Sequence, residues 1–144
     1  MPEYIPTPVD WVRKHVELYE GSGGKKGVTL PGSELPCIIV THTGNKTGAL
    51  RKTPLMRVKV GEHYVLIGSM GGAPKNPVWV YNLRSDSEVE IRDGTEVHKM
   101  RAREVTNDEE RAEAWAAGVA AFPPYKEYQE KTSRKIPVFV AESK

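Results

Sequence analysis

Cysteine is nearly missing from this chain of 144 residues, and one thiol, Cys37, cannot build an internal disulfide framework. That usage fits a reducing compartment. In the run "PCIIV" the thiol reads as a small buried apolar side chain rather than as a nucleophile. Apolar runs of membrane-spanning length are also missing. The opening "MPEYIPTPVDW" is polar and broken by prolines, without the apolar stretch of a secretory leader. The expectation is a soluble cytoplasmic protein. His15, His42, His63 and His98 are scattered, with no H-x-x-x-H pair and no cysteine partner, which argues against a protein-ligated metal. There is no G-x-S-x-G elbow for a hydrolytic serine and no G-x-G-x-x-G for a dinucleotide site. An excess of one charge is absent too: the net charge is +2, so bulk electrostatics do not announce a nucleic-acid binder.

What is present is periodicity, and it sets out the elements in order. Val9, Val12, Val16 and Tyr19 recur at helical spacing, with Trp11, His15 and Leu18 widening the stripe, and predict a helix over 8–21. The glycine-rich "GSGGKKGVTLPG" has no period and reads as a flexible connector. Strands are predicted at "LPCIIVTHT", "TPLMRVKV" and "YVLIGS". A short helix, "VWVYNLR", follows, with Asn76 as its N-cap and Pro77 in its first turn. "SEVEIR" and "TEVHKMRAREV" flank Asp93-Gly94, the strongest hairpin signal in the chain. Thr106 and Glu109 read as a capping box for an alanine-rich helix to about Ala121. Phe122-Pro123-Pro124 interrupts that helix, "YKEYQEKT" resumes it, and "IPVFVAE" closes as a strand. Six strands joined mostly by hairpins predict an α+β, mainly β protein: a small antiparallel barrel with flanking helices. The expected division is an N-terminal helix and connector over 1–34 and a barrel domain over 35–144.

Two loops combine glycine with positive charge. "GNKTG" holds P-loop ingredients in the wrong order, since Lys46-Thr47 precedes the second glycine and a strand follows instead of a helix. Lys46, Arg51 and Lys52 cluster around that turn, whose glycines let backbone N–H groups face a ligand. The second loop offers Gly71, Gly72 and Lys75 and runs into the start of the short helix, an anion-receptive end. Either loop alone reads as a solvated turn; together they suit one elongated, multiply anionic ligand. Tyr125 and Tyr128, three apart on a helical face beside Pro-Pro, read as the lip of a pocket.

The stretches "THTGNKTGALRKTPL", "IGSMGGAPKNPVWVYNL", "TNDEERAEAW" and "FPPYKEYQEKTSRKIPVFV" together resemble the deazaflavin-dependent nitroreductase and F420H2-dependent quinone reductase family. The resemblance runs from about Leu35 to Val140 and implies a split β-barrel like those that bind FMN. It also implies coenzyme F420 as cofactor, with hydride passing from the reduced deazaflavin to a quinone, menaquinone-like, or to a nitroaromatic acceptor. It assigns Asn45, Lys46 and Thr47, with Arg51, Lys52, Thr53, Pro54, Leu55 and Met56, to the cofactor's phosphate, oligoglutamate tail and ring. It places Ile67, Gly68, Ser69 and Met70, with Val78, Trp79, Val80, Tyr81 and Asn82, against the deazaflavin. Lys75 and Asn76 join this set as the charged residue and helix start of the second loop. Ser69, Tyr125 and Tyr128 are the expected catalytic residues, Ser69 orienting an oxygen and the tyrosines donating to charge on the acceptor. Met56, Phe122 and Tyr128 are the expected substrate contacts.

The chain departs from the family's nitroimidazole-activating pattern at Met56 and Phe122, where that pattern has tyrosines. Both departures remove a hydroxyl from the substrate side and point to quinones rather than nitroimidazole prodrugs. Two alternatives stay open on residues alone: an FMN-dependent enzyme on the same barrel, and a basic barrel binding nucleic acid through Lys46, Arg51 and Lys52. Few aromatics on the strands count against the second. The first helix is amphipathic enough to rest on a lipid surface, which would give peripheral contact with the inner face of the membrane.

Overall fold

The computed structural model describes residues 3–144. In chain order the elements are α1 (Asp10–Gly21), β1 (Cys37–Thr43), β2 (Leu50–Met56), β3 (Lys59–Val60), β4 (His63–Ile67) and a short turn at Met70–Gly72. Then come α2 (Val78–Ser85), β5 (Glu88–Asp93), β6 (Glu96–Glu104), α3 (Asp108–Ala121), α4 (Pro124–Lys131) and β7 (Val138–Ser143). Among the described residues that makes seven strands, one more than the six expected, in one antiparallel sheet ordered β2-β1-β5-β6-β7-β4-β3.

The extra strand comes from a bend. The run expected to begin at Thr53 begins at Leu50 and breaks at Arg57-Val58, where Val58 is buried and its carbonyl accepts from the Val65 amide at 2.8 Å. Arg57 turns the other way and donates to both Asp93 carboxylate oxygens at 2.9 Å. One bent segment thus pairs with β1 at one sheet edge and with β4 at the other. That curls the sheet into the expected split barrel.

Both faces of the strands are covered, which is why "CIIV" is apolar throughout rather than alternating. Ile38 and Val40 point inward with Leu66, Ile91, Met100 and Phe139, closed off by Trp79, Val80 and Leu83 of α2. Cys37 and Ile39 point outward under Val16 and Tyr19 of α1. Val65, Ile67, Val138 and Val140 carry α3 and α4 on the outer face of the other edge. Gly118 is needed there: a Cβ on it would lie 2.2 Å from Ile67 Cδ1.

Three local expectations are corrected. The N-cap of α3 is Asn107, not Thr106: its Oδ1 accepts from the Glu110 amide at 3.0 Å, while the Glu110 carboxylate goes to Arg103. Asn76 does not cap α2, because its Oδ1 is taken by Arg134 at 2.8 Å and Pro77 occupies the cap position. The glycine-rich connector is not a loose link. Ser22 Oγ accepts from the Lys25 and Lys26 amides, and Gly24 packs so tightly on the β5–β6 turn that a Cβ would lie 1.7 Å from the Gly94 carbonyl. Cys37 is buried, as expected, and burial pushes its thiol up to about 11. No helix among the described residues is long and apolar enough to cross a membrane.

Candidate active site

Opposite positions across an antiparallel pair share a face, so Arg51, Thr53 and Leu55 of β2 lie on the inner face with their partners His42, Val40 and Ile38. Lys52, Pro54 and Met56 lie on the outer face. Lys52 is accordingly ion-paired with Glu20 of α1 and sits 4.9 Å from the Tyr4 ring, away from Arg51. Among the described residues Lys46, Arg51 and Lys75 have no carboxylate within ion-pair distance. Lys46 and Lys75 are exposed. Three cations therefore remain available for an anion.

The loop 44–48 is fastened from beneath. Its amide at Asn45 donates to Asn82 Oδ1 at 2.9 Å, and since that donor is a backbone N–H, the orientation of the Asn82 amide is fixed. Asn82 Nδ2 then donates to His42 Nδ1 at 3.0 Å, so the proton of the neutral ring is on Nε2 and is donated to Thr53 Oγ1 at 3.0 Å. A second proton on His42 would face the Asn82 NH₂ group donor to donor. Burial, with the nearby Arg51 charge, pushes the His42 pKa down to about 4. His42 is thus no isolated histidine but the centre of a buried neutral network joining β1, β2, α2 and the loop.

The loop 68–76 is built differently. Met70, Gly71 and Gly72 all have positive φ, at 47°, 65° and 81°, and Met70 is the only non-glycine residue in that region among the described residues. Such a backbone stores strain at a non-glycine position. It is held by Arg134, whose Nε donates to the Ala73 carbonyl at 2.8 Å and whose Nη2 donates to that of Ser69 at 2.7 Å. Nη1 donates to the Gly68 carbonyl at 3.1 Å and to Asn76 Oδ1 at 2.8 Å. The result exposes apolar surface: Met70, Val78 and Tyr81 are 57%, 72% and 44% exposed. Trp79 and Val80 turn the other way into the barrel core, with Trp79 5.7 Å from the Phe139 ring. Of the α2 residues expected against a ring, Val78 and Tyr81 therefore face out, and Asn82 acts through the loop it anchors. Ser69 is buried at the turn, next to Ile67, which packs under α3.

The third component joins the second. Phe122, Tyr125 and Tyr128 form an aromatic group with ring centroids 5.0, 6.1 and 6.3 Å apart, in one apolar cluster with Met56 and Ile67. Gly72 sits against this group: a Cβ there would be 2.8 Å from the Tyr128 carbonyl. Burial, and then the neighbouring Tyr128, raises the Tyr125 pKa, so its hydroxyl stays protonated. Among the described residues no protein group hydrogen-bonds that hydroxyl. Through Asn82, α2 joins the loop that bears Lys46 to the exposed Val78 and Tyr81, and the Met70–Gly72 turn packs in turn against the aromatic group. A cavity of about 460 Å³ lined by Thr41, His42, Leu50, Lys99 and Lys144 reaches the site's network at His42 but touches neither glycine loop nor the aromatic group.

The F420H(2)-dependent quinone reductase family matches residues 11–143. The chain belongs to that family. An F420H(2)-dependent quinone reductase of Mycobacterium tuberculosis is 34% identical over 134 residues, 92% of this chain and 89% of the relative. A solved F420-H2 dependent reductase is 42% identical with a TM-score of 0.70, covering 77% of this chain and 100% of that one. Another solved structure, described as a domain-swapped dimer, is 42% identical with a TM-score of 0.73 and covers 94% of this chain and 100% of its own. At 15% identity and a TM-score of 0.59, a heme storage protein from Vibrio cholerae shares the fold, over 77% of this chain and 83% of its own. As a family member the reductase is an oxidoreductase that uses coenzyme F420. Its residues suit that group, because a long anionic tail needs dispersed cations and a flat ring needs exposed apolar surface. Sequence reasoning missed His42 and Arg134. His42 left a signal, two positions beyond Val40 on the inward side of β1, whereas nothing local marks Arg134.

Proposed function

We propose that this reductase passes a hydride from reduced coenzyme F420 to a quinone-like acceptor, holding the cofactor along the face between the loops 44–48 and 68–76. When bound, the deazaflavin supplies the hydride. Lys46, Arg51 and Lys75 bind the phosphate and carboxylates of the tail, helped by the Asn45–Thr47 backbone that Asn82 holds in place. Charge-assisted contacts of this kind contribute roughly 1.5–3 kcal/mol each. Thr53 and Leu55 serve from the inner face, Thr53 through His42, while Lys52 and Pro54 act only as the outer side of the same strand. Met70, Val78 and Tyr81 cover the ring, with Gly68 and Asn76 shaping the turn and Ser69 orienting a ring or substrate oxygen.

On the substrate side Met56 and Phe122 offer apolar walls without hydrogen-bond donors, which suits a quinone. Tyr125 and Tyr128 donate to the oxygen on which negative charge develops. A bicyclic nitroimidazole needs its polar groups aimed, and a site lacking the partner hydroxyls discriminates against it. Quinones live in bilayers, and Trp11 and Leu18 of α1, with Val9 just ahead of it, are 61%, 49% and 46% exposed, which supports peripheral contact with a lipid surface.

The single observation that carries this reading is the exposed apolar surface of Met70, Val78 and Tyr81, joined through Asn82 of α2 to the loop that bears Lys46, in a chain of this family. Titration with F420 and with FMN, followed by turnover of menadione and of a bicyclic nitroimidazole with reduced F420, tests it. F420 binding with menadione the faster acceptor is expected. Tight FMN binding without F420 binding, or nitroimidazole turnover equal to that of menadione, would overturn it.

A further inference from the structure

Arg134 lies outside every residue group used so far for ligand or acceptor, yet it makes the densest set of contacts in the site. Four of its five N–H groups are spent on acceptors of one loop: three carbonyls, at Gly68, Ser69 and Ala73, and the Asn76 amide oxygen. Among the described residues no carboxylate is paired with it. A guanidinium placed only for solubility or for a surface ion pair does not look like this. The acceptors lie 58 to 66 positions back in the chain, so nothing local builds the arrangement.

Arg134 is itself held by the substrate-side helix. Gln129 of α4 donates through Nε2 to the Arg134 carbonyl at 2.8 Å and accepts at Oε1 from the Ile136 amide at 3.0 Å. The Arg134 amide is close to Thr132 Oγ1 at 3.3 Å. Gln129 follows Tyr128 directly and lies one helical turn beyond Tyr125. The helix that carries the two tyrosines is thus tied through Gln129 and Arg134 to the Ser69 and Ala73 carbonyls, which flank the strained Met70 turn. Close packing of Gly72 on the Tyr128 backbone adds a second point of contact between the same two parts.

We infer that Arg134, seated by Gln129, is a positioning residue that keeps the left-handed Met70–Gly72 turn in place and in register with Tyr125 and Tyr128. Three carbonyls turned back toward a guanidinium are carbonyls turned away from the ligand face, which leaves the Met70 side chain outermost. The arrangement fixes the distance between the element expected over the ring and the element expected over the acceptor. Hydride transfer tolerates little error in that distance, and a misplacement of about 1 Å costs on the order of a hundredfold. Tail binding, which falls to Lys46 and Arg51 at the far end of the site, does not depend on it. The kinetic part of the proposal rests on the reading of this face as the F420 site; the structural part does not.

Two measurements test them separately. In ligand-free protein, hydrogen exchange at the Gly72 and Ala73 amides, which donate to the Ser69 and Met70 carbonyls at 2.9 and 3.1 Å, reports the turn alone. Arg134→Gln is expected to speed exchange there while leaving β1 and β5 protected. With reduced F420 and menadione it is expected to lower kcat about ten- to a hundredfold and to change the F420 dissociation constant less than about threefold. Arg134→Lys keeps the charge but lacks the fork, and is expected to recover little of the loss. Gln129→Ala, milder and away from the ligand face, is expected to give the same pattern at smaller size. Unchanged exchange at Gly72 and Ala73 in Arg134→Gln would overturn the proposal, as would loss of protection throughout the sheet, which is mere destabilisation. Full recovery by Arg134→Lys would overturn the fork argument. Faster exchange with unchanged kcat would leave the clamp standing and sink the placement of the reaction beside it.

Discussion

The two glycine loops of the site are fixed in opposite ways. The 44–48 loop is tied to α2 by one backbone N–H, donated to a side-chain oxygen of a neutral network in which His42 and Asn82 are buried. The 68–76 loop is held by its carbonyls, which accept from a cation at the surface of the fold. The first arrangement leaves the loop's own cations free for an anion. The second spends a cation on the protein and exposes apolar side chains. Loops that look alike in sequence are thus divided by what fastens them, one toward charge and one toward a ring.

Acid should break this symmetry with the largest effect. Folded His42 takes up its second proton only near pH 4, and the unfolded histidine does so near 6.5. Between those values unfolding takes up a proton, so the stabilisation is complete above pH 6.5 and is lost as pH falls toward 4. The loss from this group is about 3 kcal/mol. Denaturant unfolding across that range checks it. Hydrogen exchange sharpens it, because the Asn45 amide should open with acid while Gly72 and Ala73, held by an arginine that does not titrate, should not.

Next in size is the contrast between neighbours on β2. Arg51 faces inward and unpaired, and Lys52 faces outward onto Glu20. Arg51→Ala should weaken F420 binding roughly ten- to a hundredfold and flatten its salt dependence, whereas Lys52→Ala should change it less than about threefold. Fluorescence titration of both variants at two salt concentrations decides between them; equal losses would mean that the strand faces do not divide the work.

The smallest effect concerns Tyr125. Its hydroxyl is protonated and, among the described residues, has no hydrogen-bond partner, so Tyr125→Phe should lower kcat for menadione about three- to tenfold at unchanged F420 affinity. Stopped-flow single turnovers would show it. Unaltered turnover in both Tyr125→Phe and Tyr128→Phe would assign these rings to packing alone.

Much of this was legible in the sequence, for reasons that can be named. The order of strands, the Asp93-Gly94 hairpin and the helix broken at Phe122-Pro123-Pro124 follow from period, turn chemistry and proline. Gly94, with φ 60° at the first of two loop positions, is where a hairpin turn wants glycine. Faces were legible too, since period two separates Arg51 from Lys52, but the charge count around one turn hid it. The bend at Arg57-Val58 was not legible, because what holds it is Asp93, far along the chain. Arg134 was invisible for the same reason: its meaning lies in the carbonyls of a distant loop that accept from it. Caps misread by one residue, Thr106 for Asn107 and Asn76 for Pro77, mark the reach of local rules; at Asn76 the competitor is Arg134, which takes the amide oxygen.

The place of β7 in the sheet has a consequence for biosynthesis. The seventh of the described strands in chain order, Val138–Ser143, is the one that fills the gap between β6 and β4, and Val138, Phe139 and Ala141 are almost wholly buried there. A nascent chain halted near residue 135 holds two separate sets of hairpins with open edges and no closed core between them. Such edges invite pairing with other chains. The barrel therefore closes only after Val138–Ser143 has emerged, and the interval before that is when the chain most needs a chaperone.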